Sequence, residues 1–137
     1  MKSVRLFTLF VIALSMATFA SSQTKDASHT ALATAAAKQE KADAAETKKL
    51  EKAYGDAKAA YKKSPKKADT KKKYVDATNA LAFQVMNSSA LGPREKYPRS
   101  LQLYRETLSV DPKNADATKW KNQLEAIYKS MGRPIPK

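Results

Sequence analysis

The chain has no cysteine, a single histidine and only three glycines in 137 residues. Without thiols it can form neither a disulfide framework nor a lipid-modified cysteine, so packing alone must hold the fold. The histidine, His29, sits in a stretch of Ala, Thr and Lys whose one large apolar residue is Leu32. Acid–base work needs a group fixed within hydrogen-bond reach of its target, and such a stretch does not fix one. Metal ligation asks for His, Cys or converging carboxylates, whereas the acids here are scattered among lysines. Glu40, Asp43 and Glu46 share one exposed helical face with lysine neighbours, a pattern that surface ion pairing explains. Gly55, Gly92 and Gly132 stand too far apart for a phosphate-cradling loop or a nucleophile elbow. The expectation is no catalytic residue, no cofactor and no metal site, and therefore not an enzyme.

Strand signals are missing as well. Nowhere after residue 20 do β-branched and polar residues alternate over a sustained run, and glycine-containing hairpin turns are absent. The class is all-α. Acidic residues are in deficit, 13 against 26 Lys and Arg, for a net charge of +13. That balance suits a polyanionic neighbour such as nucleic acid, anionic lipid or an envelope polymer, but lysine on solvated helix faces accounts for it more simply.

One long apolar run is present, at the start. Lys2 and Arg5 precede Leu6 to Ala17, which is broken only by Thr8 and Ser15, and Thr18-Phe19-Ala20-Ser21 supplies the small residues of a signal-peptidase site. Residues 1–20 read as a secretory signal peptide cut after Ala20, which implies a secreted or periplasmic protein. Retention as an anchor is the rival reading, but the strictly apolar part is shorter than the roughly 20 residues of a span. Cleavage would remove two positive charges, leaving 13 − 2 = +11.

Residues 21–47 read as an Ala/Lys-rich linker or frayed helix: alanine favours helix, yet there is little apolar area to dock it. The first dozen residues are the linker part, and helix builds up beyond Ala31. From Lys48 the pattern is firm. Leu50, Tyr54, Ala57 and Tyr61 share a face, with Ala53 and Ala60 beside them, and Ser64-Pro65 ends the helix. Gly55 costs this helix about 1 kcal/mol relative to alanine, acceptable where a neighbour approaches closely. A second helix runs from about Ala68 to Met86. Tyr74, Thr78, Leu81 and Val85 form its stripe and Val75, Ala82 and Met86 flank it, the widest apolar face in the chain. Asn87-Ser88-Ser89, a glycosylation acceptor in form, and Leu91-Gly92-Pro93 break the pattern, with a loop to about Lys96.

Two further amphipathic segments follow. Tyr97, Leu101, Tyr104 and Leu108 recur at helical spacing, as do Trp120, Leu124, Ile127, Tyr128 and Met131. Pro112 stops the first, and Asn114 is placed to cap the second with Asp116 in its first turn. The two form an antiparallel hairpin. Gly132 suits a helix C-cap, and residues 132–137 form an extended tail whose Ile135 folds back on the last helix or whose two prolines present a recognition peptide.

The chain also repeats itself. Ser64-Pro65-Lys66-Lys67-Ala68-Asp69 aligns with Asp111-Pro112-Lys113-Asn114-Ala115-Asp116 at an offset of 47 residues (112 − 65), and Lys72 falls on Lys119. Upstream, Tyr54 meets Leu101, Ala57 meets Tyr104 and Tyr61 meets Leu108, so buried faces align with buried faces. Ser100, Tyr104, Thr107, Leu108 and the Asp111-Pro112-Lys113-Asn114 turn, with Ala53, Ala57, Ala60, Tyr61 and Ser64-Pro65 as an upstream copy, resemble the second helix and turn of a tetratricopeptide (TPR) repeat. Leu81-Ala82 and Val85 stand for its first helix. The resemblance covers roughly residues 48–131. It implies stacked antiparallel hairpins, about four helices, that bind a protein or peptide partner. The offset of 47 exceeds the family period of 34 and calls for a longer connection around Ser88 to Arg94. A plain four-helix bundle is the alternative architecture.

Two clusters are candidate binding surfaces. Lys62, Lys63, Lys66, Lys67, Lys71, Lys72 and Lys73 surround the first turn and could meet a polyanion through sequence-independent electrostatics, though without the interleaved aromatics that base stacking favours. The aromatics Tyr54, Tyr61, Tyr74, Tyr97, Tyr104, Trp120 and Tyr128 stand at helical spacing and read mostly as core, any left on the inner surface being anchors for a peptide. Tyr97, Tyr104 and Trp120 are the candidates for contact with a partner, Trp120 foremost because it sits in the first turns of the last helix.

Overall fold

The computed structural model describes residues 23–137, with side chains from His29 onward; the signal-peptide segment lies outside the described residues. The described chain is four helices and no strand: α1 (Gln23–Lys63), α2 (Ala68–Asn87), α3 (Pro93–Val110) and α4 (Ala115–Ser130). Each helix packs against the next in order, α1 on α2, α2 on α3 and α3 on α4.

α1 runs unbroken from Gln23, so the segment read as linker or frayed helix is helical wherever it is described. Its alanines carry that propensity, and residues 29–42 are exposed throughout. At about 1.5 Å per residue its 41 residues span about 60 Å, and only the C-terminal half meets the bundle. The first docking point is Asp43, which accepts hydrogen bonds from the Ser89 amide (2.8 Å) and hydroxyl (2.6 Å) across the α2–α3 loop. Asp43 therefore differs from the surface ion-pair reading: it pins a loop 46 residues away, while Glu46 does pair with Lys49 at 3.3 Å.

α2 is the central helix. Tyr74, Thr78, Leu81 and Val85 are all buried as their stripe requires, and Val75 and Ala82 join them. The core is completed by Leu101, Leu103 and Tyr104 of α3 and by Ala117 and Leu124 of α4, with Leu50, Tyr54, Met86, Tyr97 and Leu108 packed around it. A fully buried Leu or Val contributes about 1.5–3 kcal/mol, so these few side chains carry most of the hydrophobic stabilisation. Met131 is not among them. It is the C-cap residue of α4 and half exposed, because the helix ends at Ser130 and Gly132 turns away with φ 63°. The tail beyond folds back: Ile135 packs on the core cluster and the Pro136 carbonyl accepts from Arg105 Nη1 at 2.6 Å.

α3 begins at Pro93, four residues before the expected start. Proline at the first helical position forfeits only an amide that would be unpaired anyway, and the Gly92 carbonyl accepts from the Glu95 and Lys96 amides at 2.9 Å. Pro98 is tolerated inside the helix because its missing bond would serve the carbonyl of Arg94, in an exposed first turn.

The repeated segments share three backbone hydrogen bonds, although Ser64 N–H also reaches the Tyr61 carbonyl, which Asp111 does not copy. Ser64 N–H reaches the Ala60 carbonyl, Lys67 N–H that of Ser64 and Lys71 N–H that of Lys67; Asp111 to Thr107, Asn114 to Asp111 and Thr118 to Asn114 repeat all three at the same offset. The capping differs. Asn114 Oδ1 accepts from the Ala117 amide at 3.0 Å, whereas Lys67 has no side chain able to cap α2.

α1 is tied to α3 through a carboxylate. Glu106 accepts from Tyr54 OH (2.8 Å), Lys58 Nζ (2.6 Å) and Tyr74 OH, and Tyr61 stacks on the Tyr74 ring at 5.1 Å. A second pair, Arg99 with Glu51, lies beside it.

Candidate interaction groove

α2 and α4 each pack on α3 and are not themselves a packed pair; their side chains meet at Phe83–Trp120 and Asn79–Asn114, with a groove between them. Phe83 projects from α2 outside the buried stripe and is half exposed. Trp120, half-buried on α4, meets it edge to face, with ring centroids 5.6 Å apart at 61°. Lys119 Nζ lies 4.8 Å from the centre of the indole. Trp120 borders two cavities. One, of about 380 Å³, is lined by Asn79, Ala80, Phe83, Tyr104, Asp116 and Trp120. The other, of about 180 Å³, is lined by Met86, Asn87, Tyr97, Gln123, Leu124 and Ile127 on the far side of the indole.

The polar chemistry of the larger cavity follows from the α4 cap. Asn114 Oδ1 is held as an acceptor by the Ala117 amide, so the Asn79 side chain must present its NH2 to it, at 3.1 Å. The Asn79 carbonyl oxygen is then turned away, and it is buried without a hydrogen-bond partner. The Tyr104 hydroxyl is also buried without a partner. Burial, and then the negative charge of Asp116, holds the Tyr104 phenol well above its ordinary range, so it stays protonated. Asp116 itself makes no hydrogen bond or ion pair with the described residues.

A larger space, about 470 Å³, lies between α1 and α3 and is lined by Glu51, Tyr54, Gly55, Arg99, Gln102 and Glu106 among others. Its charged groups are paired with each other, Glu106 with three donors and Glu51 with Arg99. None of its lining side chains carries a buried polar atom without a partner. Nor does any neighbour crowd Gly55: a Cβ there would meet nothing within 4 Å, contrary to the close approach expected.

The three aromatic candidates take different places. Trp120 is partly buried and borders both cavities, Tyr97 is half-buried beside the smaller one with Lys96 Nζ 5.4 Å from its ring, and Tyr104 is core, 1% exposed. Phe83 and Asn79 lacked a signal in the sequence, because neither lies on the apolar stripe of α2.

The topology brings the seven lysines to one tip of the bundle. Lys62 and Lys63 end α1, Lys66 and Lys67 form the turn, and Lys71, Lys72 and Lys73 open α2; all seven are exposed. Only Lys72 has an ion pair, with Asp76 at 2.6 Å. The last-turn lysines of α1 complement its dipole and Lys72 pairs with Asp76 one turn on, whereas Lys71, at the end of the first turn of α2, opposes that helix's dipole.

Among the described residues no group of three His, Cys, Asp or Glu side chains could hold a metal, and no helix is long and apolar enough to cross a membrane. No family model, curated protein or solved structure matches the chain.

Proposed function

We propose that this chain is an exported, non-catalytic protein–protein interaction module of TPR-like type, which docks a peptide segment of a partner protein in the groove between α2 and α4. The observation that carries the reading is the Phe83–Trp120 pair, a half-exposed phenylalanine of α2 against a partly buried tryptophan of α4 at the edge of a cavity of about 380 Å³. Aromatic side chains bury large area at low entropy cost, which is why they serve as anchors at interfaces. The matching hydrogen bonds of the two turns support the repeat on which the TPR-like reading rests. Export rests on the character of residues 1–20.

The test uses the purified protein as bait against an extract of the native envelope, washed at low and then high salt, beside Trp120→Ala and Phe83→Ala variants checked for helix content by circular dichroism. A discrete protein that survives high salt and is lost from both folded variants supports the reading. Capture unaffected by either substitution would refute it.

The lysine tip favours a second reading, a basic surface for nucleic acid or an anionic envelope polymer, because six of its seven lysines have no carboxylate partner. Such binding weakens steeply with salt. Lys66→Glu together with Lys67→Glu should then abolish retention on a polyanion column and flatten its salt dependence. Unchanged retention would remove this reading.

A further inference from the structure

The excess positive charge of the chain is concentrated in one place. Residues 62–73 hold seven lysines and one acid, Asp69, so 7 − 1 = +6 of the +11 carried outside residues 1–20 sits in twelve residues. Elsewhere lysine and arginine repeatedly find carboxylates, Lys49 on Glu46, Lys58 on Glu106 and Arg99 on Glu51 among them. Of the seven tip lysines only Lys72 does. Six exposed ammonium groups held this close repel one another, and an anionic surface set against them relieves the repulsion.

The shape of the tip selects the kind of anion. Lys62 and Lys63 end α1 and Lys73 is five residues into α2, so at 1.5 Å per residue all seven stem from within about 8 Å of the end of the bundle. That is about one Debye length at physiological ionic strength, so a plane laid across the tip interacts with every one of them. Two helix ends side by side are about 20 Å across, too broad for the roughly 12 Å major groove of a DNA duplex. The tip also lacks what single strands favour: residues 62–73 include no arginine or aromatic, and the neighbouring Tyr61 is stacked on Tyr74. The large exposed apolar side chains, Leu32, Phe83 and Met131, all lie elsewhere, so the tip has nothing to insert into hydrocarbon. A flat sheet of anionic headgroups matches all of these features.

We propose that the lysine tip seats the bundle end-on on an anionic phospholipid bilayer, held by headgroup phosphates without insertion. This rests on the second reading above, that the lysines form an anion-binding surface, and commits that surface to lipid rather than to nucleic acid or a polymer. In this pose the exposed half of α1 points away from the bilayer.

Co-sedimentation of the purified protein with vesicles tests it, comparing phosphatidylcholine alone with phosphatidylcholine containing about a third phosphatidylglycerol. Binding is expected to the anionic vesicles alone and is lost at high salt. Each tip lysine replaced by glutamine should weaken partitioning about fivefold, so Lys66→Gln with Lys67→Gln about 25-fold. Lys38→Gln with Lys41→Gln, the same charge removed about 30 Å up α1, should weaken it less than about twofold. All variants are checked for helix content by circular dichroism. No binding to the anionic vesicles, equal binding to neutral ones, a Lys38 and Lys41 pair that costs as much as the tip pair, or release from vesicles by a DNA duplex at equal phosphate would each overturn the inference. If Lys66→Gln with Lys67→Gln still weakens retention on a polyanion column in that case, the anion-binding reading stands; if it does not, both fall.

Discussion

Removing the Glu106 carboxylate is the sharpest test of how the bundle is held together. Three donors from two other helices converge on it, and their environments differ. Tyr74 is 4% exposed, so in Glu106→Ala its hydroxyl loses its acceptor with little access to water, a cost of about 1–3 kcal/mol. Lys58 is more exposed, 36% of its side chain, and re-solvates, so its ion pair is worth about 1 kcal/mol or less. Tyr54 is intermediate. The expected loss is about 2–4 kcal/mol for Glu106→Ala, about 1–2 for Glu106→Gln, which keeps one carbonyl acceptor, and under about 1 for Lys58→Met. Urea unfolding followed by Trp120 fluorescence reads these losses as midpoint shifts at constant slope. The same residue gives an acid limb. Burial pushes the Glu106 carboxyl up, but hydrogen bonds from Lys58, Tyr74 and Tyr54 outweigh it and hold the folded group below its ordinary 4.5. A carboxyl depressed on folding contributes stability above its unfolded value of about 4.3, lost as pH falls through the lower folded one. Glu106→Gln should therefore flatten the decline below about pH 4, leaving a remainder from Asp43 and Glu125, which are also depressed. A Glu106→Ala protein within about 0.5 kcal/mol of wild type, below what even one unpaired buried hydroxyl costs, would show that the convergence does not stabilise the fold.

Two substitutions should stabilise the protein. Gly55→Ala, in a helix interior with free space around the new methyl, is expected to add about 1 kcal/mol; destabilisation in the same urea assay would mean that α1 is held in a conformation alanine resists. Thr107 is buried with an unpartnered hydroxyl, so Thr107→Val should raise the unfolding free energy by about 1 kcal/mol, and a loss of that size would show that the hydroxyl is bonded after all.

Much of the architecture is legible without the structure, and the reason is locality. Helical spacing places Tyr74, Thr78, Leu81 and Val85 on one face, and nothing non-local could move one of them to another face of a continuous helix. Pro112 and Asn114 act within a few residues of themselves, so the turn and cap between α3 and α4 are set by chemistry that the sequence contains in full. Gly132 likewise ends α4 locally through its positive φ, whereas the sequence leaves the tail open between fold-back and a recognition peptide, and packing of Ile135 on the core decides it. Trp120 stands out as a candidate contact residue because an aromatic early in a helix has less chance of complete burial, and it is partly buried.

Other features were settled only by packing. Glu106 reads as one more surface acid until α1 and α2 bring Tyr54 and Tyr74, 52 and 32 residues away, to the same point. Asp43 likewise acquires its role from a loop 46 residues distant. The groove depends on α3 holding α2 and α4 within side-chain reach of each other, which places Phe83 against Trp120 and the Asn79 amide on Asn114 Oδ1. Tyr104, by contrast, is withdrawn into the core because the other helices close over it. Periodicity determines which face of each helix is apolar; the register and rotation at which helices meet are set by the fit of all their side chains at once, and only the tertiary structure decides them.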